Sequence, residues 1–369
     1  VRFFATAAKG TEPALRDELR ELRFLRVRAN RGGVHFEGDL AEGARACLWS
    51  RIAVRVLLEI ANFDAIDSKS LYAGARALDW SEWLTPNKTI AVRATCRSSQ
   101  LTHSQFVAQR TKDAIVDALR DRLGARPSVD KADPDLLVAI RILREHATLY
   151  LDVGGSSLHA RGWRAQAGKA PLRETLAAAL IRLSGWDRQC PLVDPMCGAG
   201  TIAIEAAAWS RGMAPGLARK RFGLERWANH GEDMQERLRA LRDEARAAAR
   251  ATGAPVIARD LDASSVDLAR RNARDAGVSL VVERGDIRDL RPFDSGGFVV
   301  SNPPYGVRLD AVPTLYDNLA SILRHMHNHT VALLAGSPAL ARAMRRDPER
   351  WWALYNGPIE CRLLLYRIL

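Results

Sequence analysis

The residues best equipped for chemistry are Ser301-Asn302-Pro303-Pro304-Tyr305-Gly306. They follow an apolar run, Phe298-Val299-Val300, of the kind that forms a buried parallel strand. Two prolines in succession end the strand and withdraw two backbone donors. Asn302 precedes a proline and is biased toward extended backbone. The stretch reads as a stiff loop presenting one amide, free carbonyls and one aromatic ring. Open α/β sheets bind ligands at such strand ends. Taken alone, the pattern also fits a strand-ending turn with a packed tyrosine.

Three other strand ends carry acids. Pro191-Leu192-Val193 leads into Asp194-Pro195-Met196-Cys197-Gly198-Ala199-Gly200-Thr201. Gly198 and Gly200 permit a tight turn and close approach of backbone to a ligand, and the helix that follows offers free amides. An anion ahead of the glycines repels phosphate and favours a cation. The loop lacks the Lys-Ser/Thr of a P-loop and the G-x-G-x-x-G of a dinucleotide site. Val256-Ile257-Ala258 ends at Arg259-Asp260-Leu261-Asp262, where Asp260 is placed to accept both hydroxyls of a ribose and Asp262 to cap the next helix. A third strand, residues 280–283, ends at Gly285-Asp286-Ile287.

These loops require a doubly wound scaffold. Residues 173–181, 203–209, 264–276, 315–325 and 338–344 have helical character, and strands over 331–334, 351–354 and 361–367 bring the total to seven. A charged helical insertion, residues 210–253, with Arg219-Lys220-Arg221, reads as a surface helix pair on the substrate side. The amino-terminal half alternates strands (residues 3–6, 26–37 as a hairpin, 52–60, 89–95, then 136–143 paired with 147–153) with helices after Thr11 and over 40–49, 67–83 and 104–123. That is a small α+β region with no nucleophile on a glycine turn. Residues 161–169, Arg161-Gly162-Trp163-Arg164-Ala165-Gln166-Ala167-Gly168-Lys169, form a basic linker suited to touching phosphates and bases.

The bulk composition agrees with an ordinary globular chain: 369 residues, 47% apolar and 27% charged. Two or three domains are expected. Nothing resembles a membrane span or signal peptide. The five dispersed cysteines point to reduced thiols in the cytoplasm. The His325-Met326-His327-Asn328-His329 cluster ends a helix, so no metal is expected there. A net charge of +12 favours a polyanionic partner. The excess is even: residues 1–166 carry 26 bases and 20 acids, residues 167–369 carry 29 and 23.

The ordered set of Asp194-x-x-Cys-Gly-x-Gly-Thr201, Asp260, Asp286 and Asn302-Pro-Pro-Tyr305 resembles the S-adenosylmethionine-dependent methyltransferases of exocyclic amines. The flanking half is similar to the bacterial large-subunit rRNA guanine-N2 methyltransferases, through Gly32-Gly33-Val34-His35-Phe36, Trp49-Ser50-Arg51, Gly162-Trp163-Arg164 and Glu174-Thr175-Leu176-Ala177-Ala178-Ala179. The resemblance spans essentially the whole chain. It implies a ferredoxin-like α+β region (1–46), a THUMP RNA-binding domain (47–155), the linker (156–170) and a Rossmann-like, seven-stranded class I methyltransferase domain (171–369). Relatives commonly carry Ser where this chain has Ala199, another small residue. Some relatives continue into a fused guanine-N7 methyltransferase domain. This stretch ends after its seventh strand, so that second activity is expected to be absent from it, through genuine absence or truncation, with the guanine-N7 domain either fused or separate.

The resemblance also implies roles. Asp194, Pro195, Cys197, Gly198, Gly200 and Thr201 hold the methionine part of the cofactor, and Asn302 counts among the cofactor-binding residues as well as the catalytic ones. Asp260 and Leu261 hold its ribose, and Asp286 and Ile287 its adenine. Asn302 and the Pro303 carbonyl accept the two N–H bonds of the target amine, Pro304 stiffens the loop and Tyr305 stacks on the base. RNA contacts are expected from Arg161, Arg164, Lys169, Arg219, Lys220 and Arg221. The expected substrate is 23S rRNA, its base extruded for reaction at a cost of a few kcal/mol. A THUMP-bearing tRNA guanine-N2 methyltransferase and a non-enzymatic RNA-binding assembly factor are the rival readings.

Overall fold

The computed structural model describes residues 1–164, 172–305 and 312–369. Gly306, Lys169 and the linker residues 165–171 lie outside the described residues. Among the described residues the chain forms two sheets. The first is built from β1 (Arg2–Thr6), α1 (Glu12–Glu21), β2 (Leu25–Asn30), β3 (Gly33–Glu37), α2 (Leu40–Trp49), β4 (Arg55–Asp64), α3 (Ser68–Arg76), β5 (Thr89–Arg97), α4 (Ser104–Leu123), β6 (Ser128–Val129), β7 (Leu136–Leu143) and β8 (His146–Asp152). Its order is β2-β3-β1-β4-β8-β7-β5-β6, so the amino-terminal region and its neighbour share one continuous sheet through the β1–β4 pair. The helices at 40–49 and 104–123 form where the apolar periodicity predicts them. The helix expected over 67–83 stops at Arg76, and a separate 3-10 turn, Trp80–Glu82, follows.

The second half contains α5 (Glu174–Leu183), β9 (Leu192–Asp194), α6 (Thr201–Ser210), α7 (Glu232–Ala247), β10 (Val256–Asp260), α8 (Ala263–Asp275), β11 (Val281–Arg284), β12 (Gly297–Ser301), α9 (Val312–Leu323), β13 (His329–Ala335), α10 (Pro338–Met344), β14 (Arg350–Asn356) and β15 (Ile359–Ile368). Its order, β11-β10-β9-β12-β13-β15-β14, includes all seven expected strands. The first five run parallel, and β15 is antiparallel to both neighbours. Chain order reverses between β9 and β12, the switch point where such sheets open a crevice. Register sets the stagger of the strand ends there: Val193 faces Ile257 on one side and Val299 on the other.

The insertion between α6 and β10 is not a free surface pair. Phe222, Leu224, Trp227, Leu238 and Ala245 are buried in the core of the amino-terminal half. The Leu224 amide bonds the Val153 carbonyl, and the Ala228 amide bonds Trp83. Gly223 lies so close to Gly155 that a β-carbon there would come within 2.6 Å of its backbone. The insertion is a strap tying the two sheets together. Its apolar residues, scattered among arginines, gave no local sign of their partner.

A buried carboxylate braces the amino-terminal side of the joint, and a buried ion pair crosses it. Glu18 accepts from the Ser50 hydroxyl and the Arg51 amide at 2.6 and 2.9 Å. Arg161 donates to Glu205 at 3.1 Å and to the carbonyls of Leu158 and Arg51. Burial lowers the Arg51 guanidinium to about 10 despite the nearby Glu205 carboxylate.

Candidate active site

Asp194 ends β9 and is 1% exposed. The Ser301 hydroxyl, at the end of β12, donates to it at 2.7 Å, so the two central strand ends are linked side chain to side chain. Burial raises this carboxyl to about 7, against the pull of the Ser301 hydrogen bond. The chain then turns through Gly198 and Gly200, both at positive φ, which β-substituted residues seldom adopt. The turn is pinned from outside. The Gly198 amide donates to Asp260 at 2.8 Å, and the Asn272 side chain donates to the Ala199 carbonyl at 2.9 Å. Asp260 also accepts the Asp262 amide, and Asp262 caps α8 through the Ser264 and Ser265 amides.

These loops enclose a cavity of about 1000 Å³. Asp194, Pro195, Cys197, Gly198, Thr201, Asp260, Leu261, Asp286, Ile287, Asn302 and Pro304 line it. The structure thus brings together eleven of the fourteen residues assigned to cofactor and chemistry, from four strand ends. Gly200 shapes the turn behind the wall rather than lining it. The lining carries four carboxylates, counting Asp262, against the single guanidinium of Arg288 among the described residues. Such a wall suits a ligand bearing positive charge and hydroxyls. The Oδ1 of Asn302 is buried and has no hydrogen-bond partner among the described residues. A buried orphan acceptor costs about 1–3 kcal/mol and marks where a ligand donor belongs.

Asp286 is not a bare acceptor. Arg288 clamps it from two nitrogens at 3.1 and 2.7 Å and its own amide adds a third bond, which holds the carboxylate at about 2. The sequence reading missed Arg288, although a base two residues after an acid is a visible signal. It also missed Thr314 and Asn318 on α9, which roof the cavity. Their four-residue spacing, just beyond the Asn302 loop, is the pattern of one helix face.

Tyr305 is elsewhere than expected. It does not line the cavity; its ring packs on Gly336, where a β-carbon would fall 2.3 Å from Cδ2. Its hydroxyl accepts from the Asn356 side chain at 2.7 Å. The room over Gly336 draws the ring toward the β13–β15 side, away from a base stacked in the cavity. Pro303 is likewise absent from the lining. The Pro304 carbonyl is engaged by the Tyr316 hydroxyl at 2.8 Å.

Three arginines assigned to RNA serve the fold instead. Arg161 is 4% exposed and paired with Glu205. Arg164 pairs with Glu174 at 3.0 Å and donates to the Thr201 hydroxyl at 2.7 Å, bracing the first cofactor loop. Arg219 donates to the carbonyls of Gly154, Ser156, Ser157 and Ala160. Guanidinium groups beside buried carboxylates and turn carbonyls are drawn inward, which charge counting cannot foresee. Lys220 and Arg221 are exposed, with Arg221 paired to Asp133. The three rings of the histidine cluster bond separate carbonyls, of Ser321, Leu369 and His327.

Comparison with known proteins agrees with this geometry. Residues 161–364 match the model of the RMKL-like methyltransferase domain, residues 65–152 that of the THUMP domain, and residues 2–57 that of the RlmL ferredoxin-like domain. The chain belongs to the RMKL-like methyltransferase family. It therefore comprises ferredoxin-like, THUMP and class I methyltransferase domains, and the family is S-adenosylmethionine-dependent.

"Ribosomal RNA large subunit methyltransferase K/L" of Syntrophotalea carbinolica is 44% identical over 100% of this chain and 54% of its own length. The protein of the same name from Methylococcus capsulatus is 40% identical over 99% of this chain and 51% of its own. The chain spans about half the length of these curated relatives. The solved structure of SMU.472, complexed with SAH, is 30% identical with a TM-score of 0.88, covering 100% of this chain and 98% of that one.

Proposed function

We propose that this chain methylates the exocyclic N2 amine of a guanine in 23S rRNA, with S-adenosylmethionine as donor. The observation that carries the reading is the buried Oδ1 of Asn302, without a partner among the described residues, on the wall of an acid-lined cavity. The name shared by the two curated relatives supports ribosomal RNA as the substrate class. The bound cofactor supplies an electrophilic methyl group.

The residues of this chain do the rest. Asp194 and the loop through Gly198 and Thr201 receive the positively charged methionine end. Asp260 takes the ribose hydroxyls, and Asp286, together with Arg288, borders the adenine. Guanine N2 is a poor nucleophile because its lone pair is delocalised into the ring. Asn302 Oδ1 accepts one of its N–H bonds, which favours a tetrahedral nitrogen with its lone pair aimed at the methyl group. No strong base is needed, since attack can precede proton loss. The base reaches the pocket only if extruded from its stack. The THUMP and ferredoxin-like domains hold the surrounding RNA by shape and backbone. Such an enzyme works in the cytoplasm, where large subunits are assembled.

Competition between RNAs tests the substrate. The purified protein is incubated with labelled cofactor and equal amounts of unmodified 23S rRNA and unmodified tRNA transcripts. Label is expected in the rRNA. Label confined to tRNA would replace this reading with the tRNA one.

A further inference from the structure

A second concavity, of about 330 Å³, lies where the amino-terminal domain meets the catalytic sheet. Its wall joins the β1–α1 loop, the start of α5 and the β14–β15 turn. Unlike the cofactor cavity it has no carboxylate in its lining among the described residues, and it carries two cations, Lys9 and Arg173. The Lys9 ammonium is held 3.7 Å over the Tyr355 ring. The Glu12 carboxylate, on the helix after Lys9, is occupied by the Gly10 and Gly32 amides.

Arg173 is the exposed N-cap residue of α5 and its side chain makes no cap bond, while Glu174, in the first turn, is paired with Arg164. A ten-residue helix opening into a basic notch is a place for an anion. A second feature points to a ligand. Thr175 is 2% exposed and lines the notch, yet its hydroxyl has no hydrogen-bond partner among the described residues. The notch also communicates with the proposed catalytic loop: Asn356, in its wall, donates to the Tyr305 hydroxyl at 2.7 Å.

We propose that this notch binds a phosphodiester of the substrate RNA beside the nucleotide entering the Asn302 loop. The inference rests on the RNA methylation reading above. The phosphate is held by Arg173 and Lys9 as charges and by the Thr175 hydroxyl as a donor. Asn356, in the same wall, ties backbone engagement to the position of Tyr305.

Two variants test it, with an unmodified 23S rRNA transcript as probe, binding measured across a salt series, and cofactor binding measured by calorimetry. Arg173→Ala is expected to make the slope of log affinity against log salt shallower by about 0.7, the loss of one phosphate contact. Thr175→Val is expected to weaken RNA binding roughly tenfold while leaving the melting temperature unchanged or higher, since an unpartnered buried hydroxyl adds nothing to the fold. Cofactor affinity stays at the wild-type value in both. Wild-type RNA affinity and slope in both variants would overturn the notch while leaving the methyltransferase reading intact. A lower melting temperature for Thr175→Val with unchanged RNA affinity would assign the hydroxyl to the fold and overturn it equally. A wild-type protein that binds cofactor but not the rRNA would overturn the substrate reading, and the notch with it.

Discussion

Asn302→Ala is expected to lower kcat by about 10²- to 10³-fold, the loss found when a preorganised hydrogen-bond partner of a transition state is removed. That corresponds to roughly 3–4 kcal/mol. The size follows from burial: Oδ1 sits on the cavity wall with no competing donor among the described residues, so it is ready for the target amine without reorganisation. Cofactor affinity is expected to fall far less, by about threefold, because one neutral hydrogen bond is at stake there. Asn302→Asp keeps an acceptor and is expected to retain more activity than the alanine variant. Single-turnover rates with labelled cofactor, beside calorimetric cofactor binding, separate the two effects. Equal turnover by wild type and Asn302→Ala would remove Asn302 from the chemistry.

The second large effect concerns Asp194. Burial raises its carboxyl from 3.8 to about 7 in the free protein. The native state therefore holds a proton that the unfolded chain has lost, and the stability of the free protein is expected to fall as pH rises from about 4 to about 7. A cationic ligand favours the ionised form, so binding below pH 7 must expel that proton. Cofactor affinity is then expected to rise with pH, by at most tenfold per unit, and to level off above about 7. Asp194→Asn removes both the charge and the titration. Its affinity is expected to be about 10- to 100-fold lower at pH 8, with no pH dependence from this group. The check is calorimetry from pH 5.5 to 8.5 in buffers of different ionisation enthalpy. A wild-type profile flat across that range would show that Asp194 is already ionised when the cofactor arrives.

Much of the catalytic half was legible because its signals are local. Apolar runs ending in Asp, Gly or Pro mark strand ends, and parallel strands line those ends up along one edge. Asp194, Asp260, Asp286 and Asn302 could therefore be placed at one site before any contact was known. The destinations of long side chains were not legible. Arg161 and Arg164 sit in a stretch that reads as an RNA-facing linker, but their partners Glu205 and Glu174 come from helices of the catalytic domain. Tyr305 follows the prolines as a base-stacking ring should, yet room over Gly336 and a hydrogen bond from Asn356 take it to the other side of the loop. The strap after α6 is the same lesson at larger scale. Phe222 and Trp227 are unremarkable among charges until a distant strand supplies the surface that buries them.

The identity of the methylated atom tests the account most directly. Unmodified 23S rRNA is treated with the purified chain and isotopically labelled cofactor, digested to nucleosides and resolved by mass spectrometry against standards. The expected product is labelled N2-methylguanosine, formed by wild type and nearly absent with Asn302→Ala. Label in N6-methyladenosine or N7-methylguanosine, or no label in the presence of bound cofactor, would contradict it.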